Sequence, residues 1–104
     1  MIRPPMDLAT FETKAGEVSN LLKAMGNARR LMVLCKLVEH GEMTVGDLAR
    51  EVGLSQSALS QHLARMREEG LVAFRRESQT IWYRIADPRT EQLLASLYTI
   101  FCKE

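Results

Sequence analysis

The chain has 104 residues, 46% of them hydrophobic and 26% charged, which suits one compact domain spanning 1–104. Its formal net charge of +1 conceals a local imbalance: seven basic against seven acidic residues in 1–54, five against three in 55–84, and two against three after that. No apolar run approaches the roughly 20 residues that span a bilayer, and the start MIRPPMDLATFE lacks the charged-then-apolar order of a secretory signal, so a cytoplasmic location without a membrane partner is expected.

Pro4 and Pro5 make a short frayed start. Leu8, Phe11, Ala15, Val18, Leu21, Leu22 and Met25 then recur at three- and four-residue steps, which predicts an amphipathic helix to about Met25, punctuated by Gly26 and Asn27. A second helix is expected from about Ala28 to Glu39, with Leu31, Leu34, Cys35 and Val38 on its inner stripe and Gly41 at the usual stop position. Thr44 reads as the cap of a short third helix that runs to about Glu51, with Val45, Leu48 and Ala49 inward and Gly53 after it. Ser55 caps the fourth, whose inner or boundary side is Ala58, Leu59, His62, Leu63 and Met66, and Gly70 stops it.

After Gly70 the period changes to two. Val72 and Phe74 alternate with Ala73 and Arg75, and Ile81, Tyr83 and Ile85 with Thr80, Trp82 and Arg84, so a hairpin with a polar tip at Arg76–Gln79 is expected. Asp87 and Pro88 open a last helix carrying Leu93, Leu94, Leu97, Tyr98 and Phe101. Two short helices across a glycine-containing turn form a helix-turn-helix, and the hairpin would be a wing beside it. The fold class is mainly α with a small β-hairpin, in the order α-α-α-α-β-β-α.

The fourth helix places Gln56, Ser57, Ser60, Gln61, Ala64 and Arg65 opposite Leu59, Leu63 and Met66. Amides and hydroxyls there would meet base edges and phosphates, and small residues let the backbone enter a major groove. An ordinary polar helix face would look the same in isolation; the short helix, turn, longer helix and basic hairpin in series favour DNA. In that reading Gln56, Ser57, Ser60 and Gln61 probe the groove, Arg65 reaches a phosphate or base, Arg75, Arg76 and Gln79 line the wing, and His62 packs at the helix boundary.

The stretch LLKAMGNARRLMVLCKLVEHGEMTVGDLAREVGLSQSALSQHLARMREEGLVAFRRESQTIWYRI resembles the ArsR family of bacterial repressors in order and spacing. The resemblance implies a winged helix-turn-helix homodimer built from the first and last helices. Such a dimer binds an imperfect palindrome in double-stranded operator DNA and leaves it when an inducer binds or modifies the protein.

Many ArsR repressors sense metals through clustered thiols, imidazoles and carboxylates. One metal-sensing branch has two cysteines where this chain has Thr44 and Gly46, and another has histidines on a last helix that here contains none. What remains is Cys35 and, in SLYTIFC, Cys102, a placement that resembles the dithiol branch of BigR, SqrR and HlyU. That resemblance implies a redox-sensing pair within one protomer, joined by reactive sulfur species through a disulfide or a longer sulfur bridge. In a reducing compartment such a pair is conditional rather than a permanent staple.

Arg30, Lys36 and Lys103 are near the thiols only in sequence, and two merely structural cysteines remain an alternative. So does a metal-responsive repressor using Cys35, Cys102, His40 or His62 across a dimer, although these make an incomplete tetrahedral set within one chain. A helical interaction protein that never touches DNA is a further rival. Trp82 and Tyr98 read as packing residues. No phosphate loop, catalytic triad or hydrolase metal spacing occurs, so no enzyme and no cofactor are expected.

Overall fold

The computed structural model describes residues 6–102; Pro4, Pro5 and Lys103 lie outside the described residues. The order is α1 (Leu8–Met25), α2 (Ala28–His40), β1 (Met43–Thr44), α3 (Val45–Val52), α4 (Gln56–Glu68), β2 (Val72–Glu77), β3 (Thr80–Ile85) and α5 (Pro88–Phe101). Each helix begins on a side chain able to satisfy its unpaired first-turn amides. Asp7 accepts from Ala9 and Thr10, Asn27 from Arg29 and Arg30, Thr44 from Asp47, Ser55 from Ala58, and Asp87 from Arg89.

The sheet has three antiparallel strands in the order β1-β3-β2. The hairpin pairs Phe74 with Tyr83 and Arg75 with Trp82, and β1 adds Met43 opposite Tyr83 and Thr44 opposite Trp82. This third strand is additional to the expected hairpin, because two residues are too few to display a period of two. Thr44 serves twice, closing the sheet edge and capping α3.

The core gathers Val33, Leu34 and Leu37 of α2, Leu48 and Ala49 of α3, Leu59, Leu63 and Met66 of α4, then Leu71, Val72 and Leu94. Burying each large aliphatic side chain contributes on the order of 1.5–3 kcal/mol. The inner stripe of α2 differs from the expected one: Cys35 and Val38 are exposed, and Val33 and Leu37 are buried in their place. The run LMVLCKLV is apolar nearly all round, so two stripes about one residue apart both fit the helical period. Packing against α3 and the sheet selects the one that leaves Cys35 outside.

Gly53 ends α3 in the left-handed region, at φ 71° and ψ 36°. A Cβ there would meet no neighbouring atom, so the cost of adding one is conformational rather than steric. Gly53→Ala is expected to lower unfolding free energy by about 1–2 kcal/mol in urea titrations. An unchanged midpoint would show that the turn relaxes freely.

The apolar faces of α1 and α5 are left open in the protomer: Leu8, Phe11 and Leu22 on α1, and Tyr98, Ile100 and Phe101 on α5, are exposed, Phe101 at 79%. The expectation that Tyr98 packs is not met within one chain. The two helices are joined at one end by Arg89 of α5, whose Nη1 donates to Glu17 of α1 at 2.9 Å. Among the described residues, no helix is long and apolar enough to cross a membrane.

Candidate nucleic-acid interface and thiol pair

Helix α4 is seated by Leu59, Leu63 and Met66, all three fully buried. That fixes its opposite side toward solvent, where Gln56, Ser57, Ser60, Gln61 and Arg65 are all exposed. Ser57, Ser60, Gln61 and Arg65 are separated by three and four residues and so form one strip. At its N-terminal end, Nε2 of Gln56 lies 3.6 Å from where a Cβ on Gly46 would stand, and Nη1 of Arg50 lies 4.0 Å from the same point. The strip therefore continues onto α3 through Gly46 and Arg50. Arg50 was not singled out from the sequence; its signal was a basic residue three positions after Asp47, to which it is ion-paired.

On the wing the two arginines differ. Arg75 is held from three sides: Nε and Nη2 donate to the Glu42 carboxylate at 2.9–3.2 Å, Nη1 donates to Glu77 at 2.9 Å, and the guanidinium lies 5.5 Å from the centre of the Trp82 ring. These partners raise the pKa of Arg75 further, and hydrogen bonding from Arg75 is the main reason that the Glu42 carboxyl sits below its ordinary range. Trp82 is half-buried beneath Arg75, a packing role. Arg76 is exposed, in no ion pair among the described residues, and Gln79 is exposed in the two-residue turn after Ser78. His62 is half-buried at the edge of α4, where its Nδ1 accepts from Arg30 Nε at 3.4 Å.

Cys35 projects from α2, and Cys102 follows the last turn of α5, where its N–H donates to the Tyr98 carbonyl at 2.8 Å. Both thiols are free and exposed. Partial burial is the largest influence on Cys35 and pushes its pKa up; the charge of a thiolate at Cys102 pushes it further, against an opposing pull from Lys36. A thiolate at Cys102 therefore bears electrostatically on Cys35 although 67 positions separate them in sequence. Lys36 does little for the thiol, since its Nζ is engaged by Glu51 at 3.2 Å and Glu39 at 3.5 Å. Arg30 faces α4, away from any role as a thiol partner. Among the described residues, no group of three or more His, Cys, Asp or Glu side chains is placed to hold a metal ion.

Residues 27–73, from the cap of α2 to the start of β2, match the family model described as bacterial regulatory protein, arsR family. Over 102 residues, 98% of this chain and 89% of the relative, it is 45% identical to the biofilm growth-associated repressor of Xylella fastidiosa. The chain belongs to the ArsR family. The solved structure of the repressor BigR from Xylella fastidiosa superposes on this ArsR-family protein with a TM-score of 0.88 at 44% identity, covering 95% of this chain and all of that one. The transcriptional activator HlyU of Vibrio cholerae is 42% identical over 95% of this chain and 91% of its own length. The structure of reduced HlyU from that organism matches with a TM-score of 0.81, covering 89% of this chain and 97% of that one. This ArsR-family member is a DNA-binding transcriptional regulator of the winged helix-turn-helix fold, of the same type as BigR and HlyU, and not an enzyme.

Proposed function

We propose that this regulator is a cytoplasmic repressor that binds a palindromic operator as a homodimer and is released when a reactive sulfur species links Cys35 to Cys102. What supports the reading is a pair of exposed thiols, one on α2 and one at the end of α5, with the charge of a Cys102 thiolate bearing on Cys35. The uncovered apolar faces of α1 and α5 support dimerisation through those helices, since a chain this small gains stability by covering them. BigR is described as a repressor and HlyU has a structure described as reduced, in keeping with repression and with thiol chemistry.

The reaction balances with a low-molecular-weight persulfide, RSSH, as oxidant. The Cys102 thiolate attacks the terminal sulfur, forming a Cys102 persulfide and releasing RSH. Cys35 then attacks Sγ of Cys102, the S–S bond of that persulfide breaks, and hydrogen sulfide leaves. Two thiols are oxidised to one disulfide, and the persulfide is reduced to RSH and hydrogen sulfide. Each further RSSH inserts one sulfur atom and releases one RSH. Burial lowers the thiolate fraction of Cys35, so the first attack is assigned to Cys102.

The bridge ties α2 to the end of α5, part of the dimer-forming surface. Two recognition helices must meet half-sites about 34 Å apart or a multiple of it, so a small rotation of either protomer removes several phosphate contacts together. The test is fluorescence anisotropy on a duplex that the reduced protein selects from a random pool. Glutathione persulfide is expected to release the duplex and dithiothreitol to restore binding; unchanged binding by fully modified protein would overturn the reading.

Contact by the wing has its own check. Glu42→Gln combined with Glu77→Gln removes both carboxylates that hold Arg75 and frees it to meet a phosphate. The slope of log affinity against log salt is then expected to steepen by about one. An unaltered slope would place Arg75 away from DNA.

A further inference from the structure

Arg30 stands in the first turn of α2, half-buried, with its guanidinium shared between two other helices. Nη1 donates to the carbonyl of Ala24 at 3.2 Å, in the last turn of α1, where that carbonyl lacks a partner within its own helix. Nε donates to His62 Nδ1 at 3.4 Å, in the middle of α4. Among the described residues this is the one side-chain hydrogen bond or ion pair between α4 and any other element. The acceptor role of Nδ1 puts the proton of a neutral imidazole on Nε2.

The surroundings make the bond consequential. An open cleft of about 850 Å³ lies among α1, α2, α4 and α5, with Arg30 and Arg65 both on its wall. From α4 it is Arg65 that lines this cleft, whereas Leu59, Leu63 and Met66 hold the helix by apolar packing, which resists separation better than rotation. Rolling α4 about that stripe would carry Gln61 and Arg65 together across a groove. A forked guanidinium fixed at both ends restrains such a roll, beside the Arg67 guanidinium that lies 4.9 Å from the Phe74 ring centre toward the other end of α4.

We propose that Arg30 is a positioning residue for DNA reading: it ties the end of α1 to the recognition helix through His62 and sets the angle at which Gln61 and Arg65 meet the groove. The proposal rests on the DNA-binding role and is independent of the thiol chemistry. It also gives movements of α1, on the expected dimer surface, a direct route to α4.

The experiment compares affinity for the duplex selected by the native protein with affinity for a scrambled duplex of the same composition. Arg30→Lys keeps the charge but not the fork, and His62→Leu removes the acceptor. Each is expected to lower affinity for the selected duplex about tenfold and for the scrambled duplex much less, because after a small roll the long Arg65 side chain still reaches a phosphate while the shorter Gln61 loses its base edge. The double variant is expected to be no worse than either single one. In His62→Asn, Oδ1 can replace Nδ1 as acceptor and should restore most of the loss, which a merely misfolded variant would not allow. In the native protein, ¹⁵N spectra should show His62 protonated at Nε2, with the Nδ1 resonance moving in Arg30→Lys. An unchanged affinity ratio in both single variants, losses that multiply in the double, or an asparagine variant as weak as the leucine one would each overturn the proposal. A native protein that selects no duplex would instead overturn the DNA-binding role beneath it.

Discussion

Gln61→Ala is expected to weaken binding to the selected duplex between about fivefold and a hundredfold, with binding to a scrambled duplex unaltered. Gln61 is exposed, makes no side-chain hydrogen bond among the described residues, and shares its strip with Ser57, Ser60 and Arg65. An amide free on a helix that enters a major groove can pair in a bidentate manner with adenine, and its removal costs sequence discrimination rather than general attraction. Arg65→Ala provides the contrast, for loss of a phosphate contact weakens both duplexes alike and lowers the salt slope by about one. Competition titrations at several salt concentrations separate the two. If Gln61→Ala weakens both duplexes equally, or neither, the strip is not the reading surface.

The second large effect is a complete loss of response in Cys35→Ser. The reduced variant is expected to bind the selected duplex within about twofold of the native protein, because an exposed Cys35 carries no core packing and serine nearly preserves its shape. Glutathione persulfide should then leave the bound duplex in place, since a Cys102 persulfide without a second thiol cannot join α5 to α2. Cys102→Ser should behave alike. Release of DNA from Cys35→Ser at native persulfide concentrations would show that modification of one thiol suffices, and the bridge would be incidental.

Much of the architecture was legible because the local signals agreed with one another. Thr44, Ser55 and Asp87 fixed helix starts, Gly41 and Gly53 fixed two helix ends, and the change from a 3.6-residue to a two-residue period located the hairpin, whereas Asn27 read as punctuation after α1 and proves to cap α2. The outward face of α4 was readable for the same reason: its inner face is strictly aliphatic, so Gln56, Ser57, Ser60, Gln61 and Arg65 had one place to go.

What stayed hidden depends on contacts distant in sequence. Strand β1 exists because β3 pairs with Met43 and Thr44, which no pattern within two residues can express. The face of α2 was ambiguous because both of its stripes are apolar, so the outward setting of Cys35 is decided by α3 and the sheet. Arg75 read as lining the wing with Arg76 and Gln79, and its tie to Glu42, 33 residues earlier, was not visible in the sequence. Arg30 and His62, 32 residues apart, each look ordinary until the fold brings them together. The resemblance to dithiol regulators supplied the pairing of Cys35 with Cys102, which spacing alone could not.

The most direct test of the central claim is the intact mass of the reduced protein after exposure to glutathione persulfide, set beside exposure to hydrogen peroxide and to a Cys35→Ser control. A disulfide lowers the protomer mass by two hydrogens, and each inserted sulfur adds one sulfur mass to that product. Thiol-linked sensing predicts one of these masses, loss of both free thiols, and parallel loss of DNA binding that dithiothreitol reverses. Inert thiols and an unchanged mass, with DNA binding intact, would contradict it.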